Sequence, residues 1–570
     1  MKVSDYIVEL LIEQDITDVF GYPGGMVTHL MDSFSKRVDK IHAHVCYHEQ
    51  AAAFAACGYA QASGKIGVAY ATSGPGATNL ITGIANAYFD SIPTIFITGQ
   101  VNRNELKDNI GVRQRGFQET EIVEIVKSIT KASYLISNAE EIKYYFEKAF
   151  YEATTGRPGP VLLDIPMDIF RSEVNIDELR GFTDKDKPID IEESIIDVIQ
   201  KKLLKAERPC FVLGNGIRKS DGINFLERMF ASKGIPFVAS MIAFDILGSS
   251  NNKFGFIGAY GDRTANFIVA KSDLIIAIGT RLDIRQVGAK RSDFAKDADI
   301  IRVDIDSGEL EYKVHDDEIA INLNADLFID MLSEINITKT YEGWFDICNK
   351  IRKALKSVDE SNHRIAMKTL SSYLLEGCVI TTDVGQNQVW VAQSFEVKRG
   401  QRYLFSGGHG AMGYSLPAAI GAYYATKRPV YCITGDGGLQ MNIQELQFIV
   451  REKIPIKIIV LNNDSLGMIR HFQEMYFDGN YFQTKPEGGF CSPCFVDIAS
   501  AYGVRSMGCN VDEITMKSKA MEYLCDEMSC LIEVYIDYDT YVFPKLEFGK
   551  PNQDQEPLID RKLYNFLMAL

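Results

Sequence analysis

The stretch from Pro429 to Asn463 constrains this chain more than any other. A β-rich apolar run, Pro429 to Thr434, ends in Gly435-Asp436-Gly437, and 24 residues separate that triplet from Asn462-Asn463. A helical pattern fills the interval, and a second apolar run, Ile456 to Leu461, delivers the asparagines. Strand, helix and strand in this order form a right-handed crossover between parallel strands. Asp436 and Asn463 should therefore leave the sheet together at its carboxyl edge, where open α/β sheets bind ligands. A carboxylate and an amide oxygen are hard ligands suited to Mg²⁺ or Ca²⁺, and Mg²⁺ completes its shell with water and substrate phosphates. The spacing predicts a metal-bridged diphosphate, although either motif alone would be an ordinary turn.

At 570 residues the chain exceeds what one hydrophobic core holds. Short apolar runs alternate with helical patterns in three blocks, as in GVAYATS, PCFVLGNG and VITTDVG. This predicts an α/β protein with three Rossmann-like parallel-sheet domains. They are expected at 1–175, 190–340 and 360–545, with a polar linker over Val174 to Ile189 and a tail at 546–570 that closes in a short helix. Sixty basic against seventy-six acidic residues leave a net charge of −16, which argues against nucleic acid as the main partner. The N-terminus reads as an amphipathic helix, not a signal peptide, and no apolar run is long enough to span a bilayer. The eleven cysteines, taken to include no C-x-x-C pair and with Cys46, Cys57 and Cys432 in apolar runs, read as buried thiols of a reducing compartment, not as disulfides or metal ligands. A cytoplasmic protein is expected.

His48-Glu49-Gln50 opens a helix of small residues, AAAFAACGYAQASG. Such a helix packs closely on both sides, so Glu49 should be partly buried and its carboxyl pKa raised. A glutamate held near neutrality can exchange a proton with a ring nitrogen. A solvated acid stabilised by the helix dipole is the plainer alternative.

Several motifs in order resemble acetolactate (acetohydroxyacid) synthase, a thiamine diphosphate enzyme. They are YPGG (Tyr22–Gly25), HEQ, ATSGPGATNL (Ala71–Leu80), ITGQV (Ile97–Val101), FQET (Phe117–Thr120), GRPGPVLLDIP (Gly156–Pro166), GAMGYSLPAAIGA from Gly410, and GDG…NNDSLGM. The resemblance implies that Glu49 activates the cofactor through its aminopyrimidine, with Pro75 and Asn79 nearby. Met412 would be the apolar wedge that bends the cofactor, and the Gly410 carbonyl would hold its amino group. Asp436, Asn463 and the Ser465 carbonyl would hold Mg²⁺, while Gln386, Asn387, Gly437, Gly438, Gly467 and Met468 would complete the cofactor site. Gln118 and Gly25 would lie near the reacting carbons. Phe117, Arg285 and Phe472 would line the substrate pocket, with Arg285 meeting the acceptor carboxylate. In this family the activating glutamate and the diphosphate site come from different subunits, so a homodimer or homotetramer is implied. The middle block places Gly214, Asn215, Gly216, Arg281, Asp283, Arg285 and Asp304, with Arg157, where these synthases bind FAD. Ordinary loop glycines and surface charges would look the same.

Departures gather on the acceptor side. Phe472 stands where the family usually has tryptophan, Met167 where it has lysine and His409 where it has leucine, and the loop carrying Arg113 and Arg115 is longer. One methylene of pocket shape discriminates substrates by about 1–3 kcal/mol, and arginines can pair a phosphate or carboxylate bidentately. The expected activity is pyruvate decarboxylation with transfer of the two-carbon acetyl unit to a carbonyl acceptor. A nucleotide-linked keto sugar as acceptor, or a pyruvate oxidase-like reaction, are the alternatives. Simple decarboxylation is disfavoured because His42, His44 and His48 are never adjacent.

Overall fold

A computed structural model describes residues 1–108, 110–184, 194–218, 220–515 and 519–570. Three sheets, each of six strands, organise it. The first holds β1 (Asp18–Gly21), β2 (His42–Val45), β3 (Gly67–Ala71), β4 (Thr94–Gln100), β5 (Ala132–Leu135) and β6 (Pro160–Pro166). The second holds β7 (Pro209–Leu213), β8 (Phe237–Ala239), β9 (Lys253–Phe256), β10 (Leu274–Ile278), β11 (Asp299–Asp304) and β12 (Ile319–Asn322). The third holds β13 (Val379–Thr382), β14 (Arg402–Leu404), β15 (Val430–Gly435), β16 (Ile456–Asn462), β17 (Arg505–Asn510) and β18 (Cys530–Tyr535). Every strand pairing is parallel. Helices cover both faces of such sheets, so central strands are apolar throughout instead of alternating; every residue of β4 and β6 is buried.

The first sheet runs β2-β1-β3-β4-β6-β5 and the third β14-β13-β15-β16-β18-β17, which is one order counted from each sheet's own first strand. The second runs β12-β11-β10-β7-β8-β9. In the two matching sheets the helix after the second strand plays the same part. Those helices, Glu49–Ser63 and Ser415–Thr426, cross each other and join both sheets in one core. Their contact is backbone to backbone. A Cβ added at Gly421 would fall 1.8 Å from the Ala55 carbonyl oxygen, and one at Gly58 would fall 2.2 Å from that of Ala418.

The polar segment expected as a linker, Val174 to Ile189, is described as far as residue 184. The tail is irregular until its closing helix, Arg561–Ala569, and it returns to the middle sheet. Tyr564 packs edge-on against Phe267, and the buried Arg263 donates to the carbonyls of Gln555 (2.8 Å) and Pro557 (2.7 Å). No described helix is long and apolar enough to cross a membrane.

Overpacking a filled contact costs about 1–3 kcal/mol. Gly421→Ala is therefore expected to lower the urea midpoint clearly, whereas Gly111→Ala, with nothing within 4 Å, should leave it unchanged.

Candidate functional site

The order of the third sheet reverses between β13 and β15, and ligands bind at such switch points. Asp436 leaves β15 there as the first residue of a short helix, and Asn463 follows β16, the next strand. Asp436 is buried, and its Oδ1 accepts from the Gly437 N–H (2.8 Å) while Oδ2 accepts from the Ser465 N–H (3.0 Å) and Ser492 Oγ (3.0 Å). Burial outweighs those donors and pushes the carboxyl up to about 6. Asn463 Nδ2 donates to Gln386 Oε1 (2.8 Å), and Gln386 Nε2 donates to the Thr540 carbonyl (3.0 Å). With its nitrogen so engaged, Asn463 has its amide oxygen left for a cation. Asn387 Oδ1 accepts from the Asp383 N–H (3.1 Å) and steadies the turn after β13. No group of three or more His, Cys, Asp or Glu that could hold a metal occurs among the described residues. One carboxylate with neutral oxygens leaves a divalent ion charge to share with phosphate, as Mg²⁺ sites commonly do.

The floor of this site is bare backbone. A Cβ at Gly467 would fall 2.0 Å from Gln386 Oε1, one at Gly438 2.7 Å from Asp383, and one at Gly437 3.1 Å from the Met412 methyl. Gly467 also starts the Gly467–Tyr476 helix, whose N-terminal dipole suits an anion, although the Gly467 N–H donates to the Ser465 carbonyl (2.9 Å) and the Ile469 and Arg470 N–H groups to the Leu466 carbonyl (both 3.0 Å). The Met412 loop hangs from Asp383, which accepts from the N–H groups of Gly413 (2.9 Å) and Ser415 (2.9 Å) and from Ser415 Oγ (2.7 Å). Gly410 (φ +70°) and Gly413 (φ +82°) make the left-handed turns of that loop. Met468 packs on the core of the same sheet.

At the matching edge of the first sheet, Gly25 follows β1, Glu49 follows β2, and Pro75 and Asn79 lie on the short helix after β3. Glu49 is 8% exposed, more buried than the sequence suggested, and accepts from Asn79 Nδ2 (2.9 Å). Gln118, at φ +65°, packs on Gly74, just before Pro75. The FQET segment is tethered by a buried pair: Gln100 Nε2 donates to Asp164 Oδ2 (2.9 Å) and to the Thr120 carbonyl (2.8 Å). Burial pushes Asp164 up to about 7. Phe117 stands 79% exposed. Glu119 accepts from the N–H groups of Lys107 (2.6 Å) and Arg115 (2.7 Å), which folds the long charged loop back on itself. Arg115 spends its guanidinium on the Leu106 carbonyl, 3.1 Å away.

The two edges are tied within one chain. Glu445, fully buried, accepts from the Tyr47 N–H (2.8 Å), and Asn442 Nδ2 donates to Gln50 Oε1 (3.2 Å), so both neighbours of the His48-Glu49 pair are gripped from the third sheet. Burial pushes Glu445 up to about 8. Asp383 and Glu445 lie outside the motifs that carry the resemblance, and Asp164, inside GRPGPVLLDIP, was given no role there; the one signal that could have found them is an acid inside an apolar run or at a helix start.

A cavity of about 640 Å³ lies over the second sheet. Of the residues that the resemblance assigned to FAD, Asn215, Gly216, Arg281, Asp283, Arg285, Asp304 and Arg157 line it, and Gly214 does not. A Cβ at Gly214 would fall 1.9 Å from the Gly279 carbonyl, so its place is to let two turns cross beneath the cavity. Arg157 is ion-paired to Asp306 (2.8 Å) and Glu309 (2.7 Å). Arg218 and Arg402, which also line the cavity, share the buried Asp245. Burial alone would raise that carboxyl, but the two guanidinium groups hold it down at about 2. Neither arginine was expected at the site.

Three family profiles match in the order of the three sheets. They are the thiamine pyrophosphate enzyme N-terminal TPP binding domain (residues 1–125), central domain (196–332) and C-terminal TPP binding domain (383–534). The acetolactate synthase isozyme 2 large subunit of Escherichia coli K12 is 34% identical over 97% of this chain and 99% of its own length. The acetolactate synthase large subunit of Lactococcus lactis is 34% identical over 96% and 94%, and the probable large subunit of Methanocaldococcus jannaschii 36% identical over 94% and 92%. The chain belongs to the acetolactate synthase family of thiamine diphosphate enzymes. These relatives favour the synthase over the keto-sugar and oxidase alternatives.

The departures from the acetolactate synthase pattern can now be placed. Phe472 is exposed (37%) and packs on Tyr476 (4.7 Å between ring centres) and Phe548 of the tail (6.3 Å). Its helix is pinned from beneath: Arg470 and His471 are buried against Tyr541, His471 stacked at 4.2 Å. His409 stacks on Phe89 at 5.6 Å, and Met167 opens the Met167–Phe170 helix after β6. The expectation of buried thiols needs correction. Eight cysteines are buried, but Cys491, Cys494 and Cys525 are exposed, and Cys491-Ser492-Pro493-Cys494 is a C-x-x-C pair beside Asp436.

A buried acid with a raised pKa binds its proton more tightly when folded, so stability falls as pH rises from its unfolded value toward its folded one. Relative to Glu445→Gln, the wild-type enzyme should lose up to about 1.4 kcal/mol per pH unit between a glutamate's ordinary value of 4.5 and about 8, then level off. Urea unfolding of both proteins across that range checks it.

Proposed function

We propose that this acetolactate synthase-family enzyme converts two pyruvates to acetolactate and CO₂, with thiamine diphosphate and Mg²⁺ as cofactors. The observation that carries this reading is the pair Asp436 and Asn463, fixed by Ser465, Ser492 and Gln386 at the switch point of the third sheet. Bound thiamine diphosphate supplies the electron sink for decarboxylation and carbon–carbon bond formation. Asp436, Asn463 and the Ser465 carbonyl hold the metal. Gln386, Asn387, Gly437, Gly438, Gly467 and Met468 receive the diphosphate and the adjoining part of the cofactor. Met412 is the apolar support, and the Gly410 carbonyl accepts from the cofactor's amino group.

Glu49 holds and releases a proton at the pyrimidine, oriented by Asn79 and flanked by Pro75. Gln118 and Gly25 border the pyruvate carbons. Phe117 and Phe472 shape the acceptor pocket, and Arg285 meets the acceptor carboxylate. Phenylalanine in the tryptophan position reshapes that pocket. Positioning two reactants in a closed pocket is where rate is gained.

Two copies complete the site. Within one chain no hydrogen bond joins Glu49 to the Asp436 cluster among the described residues, and Phe117 (79% exposed), Ile469 (57%) and Met441 (55%) stand open near the two edges. Three domains close to 1–175, 190–340 and 360–545 fit the spans of the sheets. FAD is the proposed occupant of the 640 Å³ cavity, where Arg281, Asp283, Arg285, Asp304, Arg157 and the Asn215-Gly216 turn offer charge and backbone. The eleven free thiols support a cytoplasmic setting.

Incubation with ¹³C-pyruvate, thiamine diphosphate and Mg²⁺ should give labelled acetolactate by NMR; labelled CO₂ with no ligated product would count against the reading. Asp436→Asn should abolish Mg²⁺-dependent uptake of thiamine diphosphate in calorimetry, and Glu49→Gln should slow C2 deuterium exchange of bound cofactor at least a hundredfold on the scale of general acid–base catalysis. An absorbance spectrum that lacks flavin even after reconstitution with FAD would remove the flavin assignment.

A further inference from the structure

The Cys491-Ser492-Pro493-Cys494 segment takes no part in the chemistry above, yet it lies against the metal-binding carboxylate. Ser492 Oγ donates to Asp436 Oδ2 (3.0 Å) and the Ser492 N–H donates to Asp464 Oδ1 (2.7 Å). The adjoining Phe490 ring comes within 3.8 Å of where a Cβ on Gly437 would stand. The segment thus covers one flank of the metal and diphosphate site, and its two thiols are exposed at the spacing common to redox-active dithiols.

Residues 491–494 run without a turn or bend, and Cys494 has extended backbone (φ −71°, ψ 105°) where it precedes the Phe495–Tyr502 helix. A disulfide needs its two Cα atoms within about 7 Å. Closing one across Ser492-Pro493 therefore requires this segment to fold into a turn whose central residues are Ser492 and Pro493. Because Cys494 is held at the start of the Phe495–Tyr502 helix, the turn has to displace either Ser492 or the head of that helix, and displacing Ser492 breaks its bonds to Asp436 and Asp464.

We propose that Cys491 and Cys494 form a reversible redox site whose disulfide state loosens the grip on metal and diphosphate at Asp436. The inference rests on Asp436 being the metal ligand. The oxidant is a small-molecule disulfide of the glutathione class. One cysteine thiolate attacks it and releases one small thiol; the second cysteine then attacks the mixed disulfide and releases the other. The protein loses two electrons and two protons, and the small disulfide is reduced to two thiols. Because linkage is reciprocal, bound cofactor and metal must in turn favour the dithiol.

The test uses the full-length, oligomeric enzyme carrying Cys525→Ser, which removes the other exposed thiol. Calorimetry with thiamine diphosphate and Mg²⁺ compares the reduced protein, the protein oxidised by glutathione disulfide, and the oxidised protein re-reduced by dithiothreitol. Oxidation should weaken binding at least tenfold, re-reduction should restore it, and peptide mass mapping should place one disulfide within 491–494. Cys491→Ser with Cys494→Ser should bind as the reduced protein does in either buffer, and bound cofactor should slow disulfide formation. Failure of the 491–494 bond to form, or affinity within twofold after it forms, would overturn the proposal. Absence of binding by the reduced protein would instead remove the Asp436 assignment, and this inference with it.

Discussion

The Glu49–Ser63 and Ser415–Thr426 helices touch through their backbones, and the geometry of both candidate half-sites follows from that contact. Alanine and glycine at the crossing leave no side chain between the helices, so there is little room for one to slide on the other. Each helix begins at a loop with a proposed chemical role. Glu49 is the first residue of one, and the Gly410–Met412 turn leads into the other. A rigid crossing therefore sets the position of the proposed acid and the proposed apolar support together. The shared strand order of the first and third sheets gives each loop the same setting, a carboxyl edge at a reversal of strand order.

Buried carboxylates mostly serve this architecture as anchors for backbone. Asp383 gathers the N–H groups of the Met412 loop, Glu445 takes that of Tyr47, and Asp90 takes those of Gly407 (2.9 Å) and Gly408 (2.7 Å) beside His409. Turns rich in glycine expose N–H groups that neighbouring backbone cannot satisfy, and a carboxylate can take several at once. Burial raises the pKa of all three acids. They are separate from the residues proposed to touch cofactor or substrate, and a list of perturbed acids alone would have mistaken scaffold for chemistry.

How much was legible in the sequence depended on whether a signal was local. The Asp436–Asn463 pair could be read because a single strand–helix–strand unit fixes both residues, and the parallel sheets followed from apolar runs of strand length. Glu49 was legible as the head of a small-residue helix, and Asn79 by resemblance as a neighbour of the cofactor, but the hydrogen bond between them was not, since thirty residues and another strand separate them. Arg218, Arg402 and Asp245 form a triad drawn from distant segments of the second and third blocks, which no spacing rule reaches. Gly214 was grouped by resemblance with Asn215 and Gly216, which line the cavity; its close crossing with Gly279 is visible only in three dimensions. The Cys491 and Cys494 thiols were misjudged because cysteine's usual burial was applied to a polar, proline-containing stretch that cannot enter a core.

The return of the tail to the second sheet bears on the order in which this protein is assembled. Ile559 and Leu567 belong to the same buried cluster as Ile199, Leu226 and Ile276. Strands β7 to β12 are all synthesised by residue 322, yet their apolar covering stays unfinished until the ribosome has made the whole third sheet. On a growing polypeptide the middle unit must wait with an uncovered greasy face while its C-terminal neighbour takes shape. The last domain to emerge can then be consolidated before the one that precedes it.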